Sequence, residues 1–221
     1  MTAPHDETSM GAAGPDTPAH APAPGAVPSP PPGRSARGWA FEIIETVALT
    51  LVIFLVIQNF IAQPFKVDGQ SMEDTFLDGQ YVLVDRISHD WSPYVRGQVV
   101  VFQPPAGVED GNYPFIKRVT GVAGDTISLR DGKVYVNGTA LDEPYLFRDA
   151  AGQVQPTDPL TGQTTWTVPP GDLFVMGDHR EVSEDSRAFG PIPVTSVIGR
   201  AVVRYWPLAD FGLIQTPAYA P

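Results

Sequence analysis

The chain has 221 residues, 24 prolines, no cysteine and a formal charge of −11. That length can bury one core, or one large and one small lobe. The acidic excess argues against a nucleic-acid partner, whose phosphates call for a basic face. Without cysteine there is neither a disulfide nor a thiolate metal site.

In chain order, residues 1–36 are rich in Ala, Pro, Gly and Ser and nearly free of large apolar side chains. Such a stretch buries too little surface to offset its ordering entropy, so it reads as a disordered tail. Residues 37–62 read as a membrane anchor. The run from Trp39 to Ile61, as a helix, covers roughly 34 Å at about 1.5 Å per residue. Thr50 is the only polar residue between Val47 and Ile57, and Glu42 and Glu45 lie near the first end. The rival reading is a buried helix of a soluble domain. Arg34 and Arg37 precede the run and only Lys66 closely follows it. This bias puts the N-terminus in the cytoplasm and the rest outside. The long preceding tail, and the lack of a small-x-small site directly after the run, favour an uncleaved anchor over a removed signal.

Residues 63–221 read as a mostly β domain. Tyr81–Asp85, Val99–Phe102, Leu173–Met176 and Val197–Tyr205 are β-rich runs bounded by Gly, Pro or Asp. Ile127–Arg130 and Lys133–Val136 flank Asp131-Gly132, a hairpin signal with a type I′ turn. The polar, turn-rich stretch from about 147 to 167 reads as an inserted loop or small lobe.

Three segments hold candidate chemistry. In Val67-Asp68-Gly69-Gln70-Ser71-Met72 a strand-like approach and a glycine precede a serine, a turn able to expose its hydroxyl and nearby N–H groups. A serine needs a base, and a lysine serves if burial lowers its pKa. Lys117, in Phe115-Ile116-Lys117-Arg118-Val119, either faces solvent or is driven into apolar surroundings where it loses its proton. The third segment, Gly177 to Arg187, is dense in polar side chains: Ser183 is placed to orient an amine, and Asp185 and Arg187 to pair. His179 invites two rivals, a triad with Ser71 or a metal site with Asp178 and Asp185. No second ligand cluster supports the metal reading, so no metal or other cofactor is expected.

At these residues the chain resembles bacterial type I signal peptidase, from the anchor to the C-terminus. Gly69 to Thr75 is similar to the nucleophile box and Tyr81 to Asp85 to the strand after it. Gly97 to Phe102, with Phe115 to Asp125, is similar to the base-bearing region, and Gly177 to Arg187 to the final box. The resemblance implies a single transmembrane helix followed by a coiled β-sheet catalytic domain with a small inserted lobe. It implies Ser71 as nucleophile, Lys117 as general base and Ser183 as the hydroxyl positioning the amine. Asp185 and Arg187 become structural supports, and the oxyanion hole rests on Ser71 and Gly69. Phe65, Val67, Met72, Phe76, Phe115 and Ile116 match pocket positions for small residues at P1 and P3. The implied partners are signal-peptide-bearing preproteins and the lipid bilayer, at the cell membrane. Two departures stand out: Asp74 replaces a usual proline, which is expected to loosen the turn, and His179 replaces a common asparagine. The competing readings are a self-cleaving repressor-type Ser–Lys protease and a membrane-anchored β module without catalysis.

Overall fold

The computed structural model describes residues 36–56, 62–108, 113–217 and 219. The tail expected at 1–36 falls almost wholly outside them. The chain divides into two units, Met1–Glu45 and Thr46–Pro221, and every strand belongs to the second.

Helix α1 spans Ala36–Val56. Its apolar window, Trp39–Val56, is 18 residues long and buries none of its side chains. The core helix of a soluble domain buries its apolar face, whereas this window is exposed along its whole length. Residues 57–61, the end of the expected span, lie outside the described residues.

Among the described residues twelve strands follow. The larger sheet contains β1 (Ala62–Lys66), β2 (Tyr81–Asp85), β3 (Val99–Phe102), β4 (Phe115–Val122), β9 (Asp172–Met176), β10 (Ile192–Pro193), β11 (Val197–Trp206) and β12 (Gly212–Leu213). Its order is β1-β2-β11-β3-β4-β9-β10, with β12 beside β11, and each pairing is antiparallel. The smaller sheet runs β7 (Thr139–Ala140), β6 (Lys133–Val136), β5 (Thr126–Arg130), β8 (Thr165–Thr167). The protein is thus mostly β, with a curled main sheet. Of the expected insertion at 147–167, only β8 and an isolated bridge between Arg148 and Val154 are strand-like. The smaller sheet draws its other three strands from upstream.

The period-2 pattern assigns side chains to three cores. In β3, Val99 and Val101 enter a cluster with Val67, Met72, Phe76, Val82 and Val84, while Val100 and Phe102 enter one with Val119, Val175 and Ile192. Strand β9 likewise divides: Leu173 and Val175 join the second cluster, Phe174 and Met176 a third with Ile127, Leu129, Val134 and Trp166. Strands covered on both faces read as continuous apolar runs rather than alternating ones. The hairpin signal at Asp131-Gly132 is realised with φ of 50° and 70°, as a type I′ turn requires.

Candidate active site

The segment after β1 folds back on itself before β2 begins. Val67 N–H donates to Gln80 O at 2.8 Å, Gly79 N–H to Val67 O at 3.0 Å, and Phe76 N–H to Met72 O at 2.7 Å. Ser71 rides on this turn. Its carbonyl accepts from His179 N–H at 3.1 Å, which ties the turn to the 177–187 segment. Lys117 comes from the neighbouring strand β4, paired opposite Val100 in β3. The solvent-facing reading of this lysine does not hold, because its side chain is only 5% exposed.

Lys117 Nζ lies 2.7 Å from Ser71 Oγ and 5.0 Å from the centre of the Phe115 ring. Burial pulls its pKa from an ordinary 10.5 to about 8; the nearby carboxylates of Asp185, Asp178 and Glu184 oppose that fall without cancelling it. A fraction of molecules therefore carries a neutral amine near neutral pH, which a solvated lysine does not provide.

Arg118, next along β4, is also buried and meets a different set of partners. Its Nε and Nη2 form a fork on Asp178 at 2.9 and 2.6 Å, and Nη1 donates to Gly97 O at 2.8 Å. Thr75 Oγ1 donates to the same Asp178 at 2.5 Å. Two consecutive cations in one buried strand are thus treated oppositely: one is fully paired and the other dried out.

The 177–187 segment is knit by buried charge. Asp185 accepts from Arg187 Nε and Nη2, each at 2.9 Å, from Ser183 Oγ at 2.8 Å and from Gly177 N–H at 3.0 Å. Burial alone would raise the Asp185 carboxyl; the Arg187 guanidinium and the other donors outweigh it and hold the group below its ordinary 3.8. Asp185 also caps α2 (Ser186–Phe189) by accepting from Arg187 N–H. Arg180 adds bonds to Gly177 O, Thr157 and Glu143. Ser183 thus spends its hydroxyl hydrogen on Asp185.

Gly177 explains how close these parts come. A β-carbon there would sit 2.2 Å from Ser183 Oγ and 2.6 Å from Ser71 O. No side chain fits between the Ser71 turn and the 177–187 segment. Sequence reasoning treated Gly177 only as part of a motif; the signal was a glycine at the end of a buried strand, which marks a close approach.

A cavity of about 300 Å³ opens at the pair, walled by Phe65, Val67, Phe115 and Ile116 with Val82, Val101 and Val182. Two expected pocket residues belong elsewhere. Met72 and Phe76 are about 1% exposed and lie in the core below the turn, because the Met72–Phe76 backbone bond rolls them inward. The expected oxyanion role of Gly69 also needs correcting. Its N–H already donates to Asp78 Oδ1 at 2.9 Å, whereas none of the described residues accepts from Ser71 N–H. Nor does Asp74 loosen the turn. It sits at φ 71°, a conformation closed to proline, and its Oδ2 accepts from Arg148 N–H at 2.9 Å. His179 contacts Glu73 through its ring, so the triad with Ser71 is absent.

Residues 40–206 match the family described as signal peptidase, peptidase S26. Signal peptidase IB of Staphylococcus aureus is 36% identical over 179 residues, covering 77% of this chain and 91% of that protein. Signal peptidase I of Leptolyngbya laminosa is 33% identical over 200 residues, covering 86% and 94%. A crystal structure of a signal peptidase I from Enterococcus faecalis, 33% identical, aligns with 49% of this chain and 97% of that one at a TM-score of 0.41. A buried serine–lysine contact in a β domain, joined to this breadth of similarity, makes the chain a member of the peptidase S26 signal peptidases and a serine peptidase.

Proposed function

We propose that this chain removes N-terminal signal peptides from exported preproteins, with Ser71 as nucleophile and Lys117 as general base. The observation that carries the reading is the 2.7 Å contact between Lys117 Nζ and Ser71 Oγ, both of which line one cavity. Neutral Lys117 takes the hydroxyl proton as Ser71 Oγ bonds to the scissile carbonyl carbon. The oxyanion forms beside the free Ser71 N–H. On collapse the C–N bond breaks, and the Lys117 ammonium gives its proton to the departing amine. A water then attacks the acyl-enzyme, losing a proton to Lys117, which returns it to Ser71. Ser183, Asp185 and Arg187 hold the surrounding segment in place.

The substrate is an extended peptide with small residues at P1 and P3, such as Ala-x-Ala. Phe65, Val67, Phe115 and Ile116 stand among the walls of the cavity, beside the polar Asp68, Gln70 and Glu184. Two unpaired edges flank it: β1 ends the larger sheet, and residues 115–117 of β4 pair with β3 but lie before the β9 register begins. A peptide adds to such edges through its backbone. Helix α1 anchors the enzyme in the membrane, with residues 1–36 cytoplasmic and the β domain outside. Trp206, Leu208, Phe211 and Leu213 are exposed apolar side chains around β12 and suit contact with the bilayer.

Hydrolysis of a fluorogenic Ala-x-Ala signal-sequence peptide tests the assignment. Ser71→Ala and Lys117→Arg should each lose almost all turnover, since a guanidinium accepts no proton. Retained turnover in either variant would falsify the assigned role. The reading as a β module without catalysis predicts no hydrolysis by the unaltered chain.

A further inference from the structure

Among the outside ties of the turn bearing Ser71, those of one residue that the mechanism above does not use reach the nucleophile position itself, while Asp178, Arg148 and Arg204 hold the later residues Asp74 and Thr75. His179 N–H donates to Ser71 O at 3.1 Å. Its ring places Nδ1 2.9 Å from Glu73 Oε2, two residues beyond the nucleophile. The same ring stacks on Phe147 at 3.8 Å between centres and 18° between planes. Phe147 N–H in turn donates to Asp178 O at 3.2 Å, so the stacking partner is itself fastened to the residue before His179. A carboxylate only accepts, so Nδ1 must carry the hydrogen. Backbone and ring of His179 therefore grip the turn at two points, on Ser71 and on Glu73.

We propose that Glu73 and His179 form a positioning pair that keeps Ser71 Oγ within reach of Lys117. The proposal rests on the Ser71–Lys117 reading. Neither residue touches the reacting atoms. The ring bond fixes Glu73, and the peptide bond between His179 and Asp178 carries the N–H that fixes Ser71. Without the ring bond the Ser71–Glu73 part of the turn keeps only the His179 N–H as its tie to the 177–187 segment, Thr75 staying fastened to Asp178, and the 2.7 Å contact loosens. The 106-residue separation of the two partners makes the tie a long-range one, set only when both segments are folded.

The test uses the full chain in detergent and the fluorogenic peptide. Glu73→Ala and His179→Phe should each lower kcat about tenfold to a hundredfold. KM should stay within about twofold, because the pair does not line the cavity. The double variant should be no slower than the worse single one, as expected for partners in one contact. Phenylalanine retains the stack on Phe147, so His179→Phe should melt close to the unaltered protein. A readout independent of turnover is the ring tautomer by nitrogen NMR: Nδ1 protonated in the unaltered chain, and that preference lost in Glu73→Ala. Full kcat in both single variants, additive losses, or an Nδ1 that bears no hydrogen in the unaltered chain each overturn the pair. Ser71→Ala, run alongside, separates the two ideas. An active Ser71→Ala defeats the nucleophile while leaving the tautomer result intact. An inactive Ser71→Ala beside a fully active Glu73→Ala defeats the pair alone.

Discussion

At the level of single residues, the proposed chemistry depends on Lys117 staying dry. With its pKa near 8, turnover should climb as pH rises from about 6.5 and level off above about 8.5, following the neutral amine. The same burial has a cost. Folded Lys117 releases its proton about two and a half pH units before the unfolded chain does, so between about 8 and 10.5 the unfolded state binds more protons. Stability must therefore rise with pH across that window, and below it the full penalty applies. Lys117→Met should stabilise the protein by up to about 3 kcal/mol at pH 7, an advantage that shrinks towards pH 10.5. Urea unfolding at two pH values measures it. Gly177→Ala should instead cost activity heavily, at least about a hundredfold in kcat, because its methyl group would push Ser183 and the Ser71 carbonyl apart. The orientation of Lys117 was not legible in the sequence. Phe, Ile and Val surround it whether it points outward or inward, and only the fold of the serine turn against β4 decides.

Strands and turns were more readable. Short β-rich runs bounded by Gly, Pro or Asp located β2, β3, β9 and β11, and Asp131-Gly132 located the β5–β6 hairpin, because these signals act within a few residues. The smaller sheet was less legible: the polar stretch at 147–167 drew attention to itself, although most of that sheet lies upstream, in the hairpin. The turn after Ser71 was misjudged for a related reason. Its tightness comes from the left-handed Asp74 and from ties to Arg148 and His179, partners distant in sequence. Asp74→Pro should therefore destabilise by about 3 kcal/mol or more, since the ring fixes φ near −65°. Asp74→Gly keeps the φ and loses only the Arg148 bond, about 1 kcal/mol. Thermal melting of the two variants gives the comparison.

For the molecule as a whole, strand order is where local reading ends. Strand β11, late in the chain, lies between β2 and β3, so the larger sheet is complete only when both ends of the β domain have met. Nothing in the composition of Val197–Trp206 distinguishes a central strand from an edge one. The apolar helix was legible, because its run of large apolar residues is long and nearly free of charge; that it anchors the chain is the proposal. Cells expressing the chain should retain it in the membrane fraction after alkaline carbonate washing. Protease added from outside should digest the β domain and spare residues 1–36. Protection of the β domain would reverse the orientation.

Pro64 sits in β1, opposite Leu83, at the open margin of the sheet. Lacking an N–H, it deletes one rung from the seam offered to any guest chain. A peptide that adds to β1, as proposed for the substrate, would lose a backbone bond at this position. The same gap weakens any edge-to-edge pairing of two copies through β1.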